Sequence, residues 1–204
     1  NMFWMDRYYE KTPLKKQLYE QIMALTKANT AVLGCWQSWW PQCPPGLESL
    51  EELTLVKYVS DYGKFFICTV SAGNFTVHSG ITLSKPLPRK PVPLTRPLAA
   101  DKIYLTFILS DGDNISGTML IRPWLWQEKT RGKFPIGWTL APLMADLCLA
   151  VLEYYHQTAT GNDFFVTPCN GLGYIMAEYA KNLPSRDTVF NEYLSLSKTY
   201  LRQL

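Results

Sequence analysis

The residues best suited to chemistry in this sequence are two carboxylates in one short turn, Asp111 and Asp113. They lie in the run Ser110-Asp111-Gly112-Asp113-Asn114, which directly follows a long apolar stretch. Side chains two positions apart in an extended chain point the same way, about 6.6 Å apart along the backbone. Two carboxylates at such spacing can serve as acid and base, or they can hold a hard cation. Gly112 allows a tight turn and lets a ligand approach the backbone.

The same turn also has a simpler interpretation as a helix cap. Asp113 or Asn114 can accept hydrogen bonds from the first backbone amides of the following helix. Two acids, a glycine and an asparagine after so apolar a stretch exceed what a cap requires, so we predict a functional turn that also caps. A calcium loop of the helix–loop–helix type is not indicated, because Ile115 stands at the third ligand position and glycine does not directly follow it.

Tryptophan side chains are a second feature with chemical meaning. Aromatic residues make up 14% of the chain, and flat rings stack on sugars as readily as they fill cores. Trp36 ends a predicted strand, Trp39 and Trp40 lie in its exit loop, and Trp138 lies in a later strand. These four residues are therefore the candidates for a sugar platform.

His78 and His156 are the only histidines, so a three-histidine zinc site within this chain is excluded. His78 lies in a long loop above the third predicted strand, where it can act as a ligand or in proton transfer. His156 is predicted to be a surface or capping residue near the end of a helix. No serine-hydrolase elbow, phosphate loop or cofactor motif is present, and we predict no cofactor.

The five cysteines show no Cys-x-x-Cys spacing, which excludes a zinc ribbon. Cys35, Cys68, Cys148 and Cys169 fall in apolar patterns and are predicted to be buried thiols.

Apolar strands alternating with amphipathic helices must position these residues. The sequence predicts strands over 2–5, 31–36, 64–70, 103–109, 136–140 and 164–167. Helices are predicted from Thr12-Pro13, over 47–62, 116–129 and 143–155, after Tyr174, and from Asp187. The stretch 103–109 is apolar throughout, so we expect a strand buried on both faces of a parallel sheet.

Six strand–helix repeats without hairpins predict an α/β fold with parallel strands. We favour an incomplete TIM-like (β/α) barrel over residues 1–204 as a single domain, with a proline-rich basic loop at 84–100; an open doubly wound sheet is the alternative. In both folds the functional face is the carboxyl end of the strands. The polar or aromatic residues that directly follow strands are Asp6, Trp36, Ser71, Asp111, Asp113, Thr139 and Asn170. Asp101 and Asp163 precede strands and are assigned to the opposite, stabilising face.

Composition and charge limit the classes of partner that we expect this chain to bind. The net charge of +3 comes from scattered residues, without the basic cluster that nucleic-acid binding requires. No apolar stretch is long enough for a membrane span, and no export signal is visible at Asn1. Because the sequence begins in a strand-like segment and ends inside a helix, we expect a fragment of a longer protein with other domains.

Three short motifs, taken in their order along the chain, resemble those of a known family. Ser110 to Asn114, then Gly137-Trp138-Thr139, then Gly171-Leu172-Gly173-Tyr174 are similar to the family named after a Gly-x-Gly-Tyr-x-Tyr-Pro motif. Met176 and Ala177 stand where the motif has Tyr and Pro. The resemblance implies a barrel-like C-terminal domain, a glycoside hydrolase activity and an extracellular or periplasmic location.

Three functions fit these residues. The first is a glycoside hydrolase with Asp111 and Asp113 as the catalytic carboxylates, for which carbohydrate is the expected ligand. The second is a non-catalytic carbohydrate-binding or interaction module, and the third is a divalent-metal-dependent hydrolase that uses Asp111, Asp113 and His78. The candidate ligand-binding residues are Asp6, Trp36, Trp39, Trp40, His78, Asn114, Trp138, Asn170 and Tyr174.

Overall fold

The computed structural model describes residues 13–34, 48–69, 72–83, 85–88, 97–112 and 114–202. The chain folds as two compact units. Unit 1 comprises residues 1–70 and 173–197, and unit 2 comprises residues 71–172 and 198–204.

Unit 1 is built on a two-stranded parallel sheet. Its elements are α1 (Pro13–Leu25), β1 (Ala31–Gly34), α2 (Glu48–Asp61), β2 (Phe65–Cys68) and residues 186–197 of α7 (Arg186–Leu201). β1 and β2 pair in parallel with Ala31 opposite Phe65. All four residues of β2 are buried, as expected for a parallel strand covered on both faces.

The core of unit 1 lies where one side of α2 meets β2. Val56 and Val59 pack with Phe66, and the half-buried Val32 of β1 joins them. Along α7 the buried residues are Val189, Tyr193 and Ser197, which recur every four residues and so form one helical face.

Unit 2 is built on a three-stranded parallel sheet in the order β3-β4-β5. Its elements are α3 (Phe75–His78), β3 (Ile108–Leu109), a π-helical turn (Gly117–Ile121), α4 (Arg122–Trp126), β4 (Ile136–Thr139), α5 (Met144–Leu147), α6 (Leu149–Thr158) and β5 (Asp163–Val166). In the register, Leu109 lies opposite Trp138, and Thr139 lies opposite Val166.

Aromatic packing holds the helices of unit 2 to its sheet. The ring of Trp126 lies edge-on to Trp138 of β4 and to Tyr155 of α6, with both centroid distances 4.9 Å. Each large side chain buried in this way contributes about 1.5–3 kcal/mol. The sheet is thereby fixed in relation to the segment that follows the acidic turn.

The structure confirms a mixed α/β fold with parallel strands and helices. The described strands form sheets of two and three strands, and neither closes into a barrel. Across the part of the chain that the structure describes, no helix is both long and apolar enough to cross a membrane.

The prediction of a buried strand over residues 103–109 is wrong for most of that range. Only Ile108–Leu109 is a strand, while Ile103 and Leu105 are 99% and 76% exposed. Among the described strands, β3 lies at an edge of its sheet. Its pairing with β4 begins only at the carbonyl of Phe107, which accepts a hydrogen bond from the Gly137 amide at 2.8 Å. The apolar residues before Phe107 extend beyond that pairing.

The predicted helix after Tyr174 is also wrong, because residues 175–185 form turns. Two of their backbone amides bond to carbonyls at the end of α2 rather than to carbonyls four residues earlier. The amide of Ala180 donates to the Ser60 carbonyl at 2.6 Å, and that of Asn182 donates to the Asp61 carbonyl at 3.0 Å. Ala180 has a φ of 58°, which a right-handed helix does not accommodate.

Candidate functional site

A cleft of about 250 Å³ opens in unit 2 at the carboxyl ends of β3, β4 and β5. It is lined by Ile108, Ser110, Asp111, Thr139, Thr167, Pro168 and Cys169. These residues combine one carboxylate, three hydroxyls and a thiol. In parallel α/β sheets, this edge is where ligands are bound.

The acidic turn is tied to the end of β4 through one threonine. The Gly112 amide donates to Thr139 Oγ1 at 2.8 Å, and Thr139 Oγ1 donates to the Leu109 carbonyl at 2.8 Å. A methyl group on Gly112 would lie 1.8 Å from the Thr139 carbonyl oxygen. Glycine is therefore required here because the turn lies directly against β4, a reason that the sequence did not reveal.

Asp111 is exposed, and its backbone is in the left-handed region, with a φ of 67°. Few residues other than glycine adopt this conformation, although Asp and Asn do so more readily than most. It persists because the residue after Asp111 is held against Thr139. Its carboxylate lies beside the start of the next helical segment, since a methyl group on Gly117 would be 3.2 Å from Asp111 Oδ2.

Asn114 supplies the helix cap. Its Oδ1 accepts a hydrogen bond from the Gly117 amide at 3.0 Å, and its carbonyl accepts one from the Thr118 amide at 3.0 Å. Helix capping and the placement of Asp111 beside Gly117 therefore occur together in this turn.

Arg122, which the sequence reasoning missed, lies at the same strand ends. Its side chain is buried and donates to the Thr139 and Ser110 carbonyls. A lone arginine among the apolar residues 119–126 was the available signal. Thr167 and Cys169 were also missed as lining residues, although Thr167 directly follows β5 and Cys169 comes two residues later.

The opposite, amino end of the sheet carries a separate buried ion pair. Asp163 is 0% exposed and bonds to Arg131 at 2.5 Å and to the Trp138 indole at 2.8 Å. Burial alone would raise the pKa of Asp163, but hydrogen bonds from Thr160 and Trp138 and the charge of Arg131 lower this pKa below its ordinary value. This arrangement fits the stabilising role that the sequence assigned to Asp163.

Several predicted site residues lie outside the described residues, so the structure says nothing of them. They are Asp6, Trp36, Trp39, Trp40 and Asp113.

The other predicted residues lie in different surroundings. His78 ends α3 and is half-buried, and the described lining of the cleft does not include it. Asn170 is half-buried and follows the cleft residue Cys169. Tyr174 belongs to unit 1, where its amide and carbonyl pair with Phe66. The structure thus brings Asp111 and Asn114 together at one turn.

Trp138 is 3% exposed and packs in the core of unit 2. Because so little of its ring is accessible, we leave Trp138 out of the site proposed below.

Two further predictions need correction. His156 lies in the last turn of α6, as predicted, but it is buried rather than on the surface, with Nδ1 3.2 Å from the Pro88 carbonyl and its ring against Phe165. Cys169 is exposed because it follows β5 at the mouth of the cleft, whereas Cys68 and Cys148 are buried as predicted. Within the described ranges, no group of three or more His, Cys, Asp or Glu side chains is placed to hold a metal ion.

A family model described as "GxGYxYP putative glycoside hydrolase C-terminal domain" matches residues 101–204, half of the chain. The chain belongs to this family. The GxGYxYP match contains every residue that lines the cleft, as well as Arg122.

A crystal structure described as a putative hydrolase from Bacteroides thetaiotaomicron resembles the chain with a TM-score of 0.76 and 23% sequence identity. The match covers 94% of this chain and 34% of that protein, so this GxGYxYP chain spans about a third of the other's length. At this identity the likeness is one of fold. No curated protein matches the sequence significantly.

Proposed function

We propose that this chain contributes a glycoside hydrolase site in which Asp111 is one of two catalytic carboxylates and carbohydrate is the substrate. The observation that carries the proposal is the exposed Asp111 carboxylate in a cleft at the strand ends of a GxGYxYP domain. The hydroxyls of Ser110, Thr139 and Thr167 line the same cleft and are suited to hydrogen bonding with sugar hydroxyls.

Asp111 is suited to a role that requires a fixed carboxylate. The backbone of the turn is held at Gly112, and the carboxylate lies beside the amino end of the helical segment that starts near Gly117. A positioned carboxylate can act as a nucleophile or as a base, provided that a second acid lies on the other side of the scissile bond.

We propose Asp113 as that second acid on the basis of its spacing in the sequence. Carboxyl groups about 5–5.5 Å apart support a retaining mechanism, and groups about 6.5–9.5 Å apart support an inverting one. Two side chains from one turn can approach the shorter separation, so the distance between the two carboxyl groups decides between retention and inversion. Asp6 is the alternative partner in the sequence, because it follows the first predicted strand.

The test is hydrolysis of a panel of oligosaccharides and polysaccharides, measured as released reducing ends. Asp111→Asn and Asp113→Asn should each lower kcat by about 100-fold or more, the usual loss on removing an acid or base. Asp101→Asn is the matched control, since this exposed residue belongs to unit 2 and is absent from the cleft lining. Full activity in both substituted proteins would overturn the proposal.

A second candidate is a carbohydrate-binding module without turnover. Asp111 is the one carboxylate among the described residues that line the cleft, whereas both glycosidase mechanisms use two. This candidate predicts saturable glycan binding without product, unchanged when Asp113 is replaced by Asn.

A further inference from the structure

The backbone on both sides of Asp111 is held by contacts that trace back to one side chain, Arg122. On one side, Arg122 Nη2 donates to the Ser110 carbonyl at 3.4 Å. On the other, Arg122 Nη1 donates to the Thr139 carbonyl, and the hydroxyl of Thr139 accepts the Gly112 amide. The guanidinium therefore bridges the exits of β3 and β4.

Burial of the Arg122 side chain at this position is unfavourable in itself. It is 4% exposed, and removing a cation from water is strongly unfavourable unless charge and hydrogen bonds compensate. The guanidinium lies 5.9 Å from the ring centroid of Trp138, and its planar fork of donors can engage two carbonyls at once. A lysine offers a single point charge and no such fork.

The π-helical turn explains how Arg122 reaches the strand ends. In an α-helix its amide would bond to the carbonyl of Thr118, but that carbonyl accepts the Tyr155 hydroxyl at 2.6 Å. The Arg122 amide bonds instead to the Gly117 carbonyl, five residues earlier. Because a π turn contains an extra residue, it changes the direction in which the next side chain points, and such turns are frequent at functional sites.

We propose that Arg122 is a positioning residue that orients the Asp111 carboxylate toward the cleft. The link to catalysis rests on the function proposed above, whereas the link to the turn does not. Without Arg122, the carbonyls of Ser110 and Thr139 lose a shared donor. The Ser110–Gly112 turn then becomes free to leave the left-handed conformation at Asp111.

The first test is amide hydrogen exchange at Gly112, which reports directly on the turn. Arg122→Met removes the charge and both donors while keeping a long apolar stem. Arg131→Met is the matched control, because Arg131 also bonds a buried partner but lies at the amino end of the sheet. We expect Gly112 to exchange at least tenfold faster in Arg122→Met than in Arg131→Met, with Arg122→Lys between them.

Equal exchange at Gly112 in Arg122→Met and Arg131→Met would overturn the positioning role. If Arg122→Met does not fold, exchange is measured in Arg122→Lys instead. Gly112 exchange in Arg122→Lys that is no faster than in Arg131→Met would likewise overturn the positioning role.

The second test is the division of the effect between kcat and KM on a hydrolysed glycan. Misorientation of Asp111 should lower kcat at least tenfold in Arg122→Met with KM changed less than threefold, and Arg122→Lys should recover part of the loss. A kcat reduced no more than in Arg131→Met would contradict the catalytic link. If the unsubstituted protein hydrolyses no glycan, the proposed function fails while Gly112 exchange still decides the role of Arg122.

Discussion

Replacing Thr139 by Val tests whether the acidic turn depends on a single hydroxyl. Val has nearly the same shape as Thr, so the change removes Oγ1 without opening a cavity. Two hydrogen bonds disappear, one from the Gly112 amide and one to the Leu109 carbonyl, both 2.8 Å long. Gly112 is buried, so its amide is left without the partner that replaces water.

The expected magnitude follows from these contacts. An intramolecular hydrogen bond contributes about 1 kcal/mol net, and a buried donor left unsatisfied costs about 1–3 kcal/mol. Thr139→Val should therefore lower the free energy of opening of the β3–β4 region by about 2–4 kcal/mol. Thr139→Ser keeps the hydroxyl and loses one methyl group, so its cost should be close to 1 kcal/mol.

Native-state hydrogen exchange measures this quantity at individual amides of β3 and β4. We expect a larger loss of protection in the Val variant than in the Ser variant, concentrated at Gly112. A Val variant with protection within about 0.5 kcal/mol of the unsubstituted protein would refute the assignment of Thr139 as the tie between turn and sheet.

Three other predictions concern stability and reactivity. Asp163→Asn should cost about 3–5 kcal/mol in urea unfolding, because Arg131 then remains largely buried without its counter-ion. Since the folded pKa of Asp163 is lowered, its stabilisation is present above the unfolded pKa of about 3.9 and is lost as pH falls through the folded value. The acid limb of stability against pH should therefore flatten in this variant, and an unchanged limb would contradict the assignment. Gly173→Ala should destabilise unit 1 by about 1–3 kcal/mol in urea unfolding, because the added methyl would lie 2.6 Å from the Phe66 carbonyl oxygen. A urea midpoint equal to that of the unsubstituted protein would count against this packing. A thiol reagent should label the exposed Cys169 in the native protein and spare Cys148, because burial raises the thiol pKa of Cys148 to about 12. Mass spectrometry that showed Cys148 labelled before Cys169 would be inconsistent with the structure.

The spacing of apolar residues predicted those helices and strands in which one helical or strand period continues along the whole element. α1, α2, β2 and β4 lie close to the ranges expected from apolar spacing. In α1, however, the buried side chains are Tyr19 and Met23, whereas Leu14, Leu18 and Leu25, which mark the apolar spacing, are exposed. The stretch 103–107 failed because strand identity depends on a neighbouring strand, and the paired register with β4 includes only Ile108 and Leu109. An apolar run alone does not show where pairing stops.

The location of the cleft was predictable in outline from the rule that parallel sheets bind ligands at their carboxyl ends. Asp111 and Thr139 lie there as expected. Arg122 was not predictable, because its position depends on a π turn in which the Thr118 carbonyl accepts the Tyr155 hydroxyl, a contact between residues 37 apart in the sequence. Such long-range contacts leave no periodic signal in the sequence.

The most direct test of the central claim is a crystal structure of the Asp111→Asn variant with an oligosaccharide that the unsubstituted protein hydrolyses. We expect an intact glycan in the cleft beside Thr139 and Thr167, with residue 111 within about 3 Å of the scissile linkage, the reach of a hydrogen bond. A glycan bound away from this cleft, or one cleaved by the variant at the original rate, would contradict that claim.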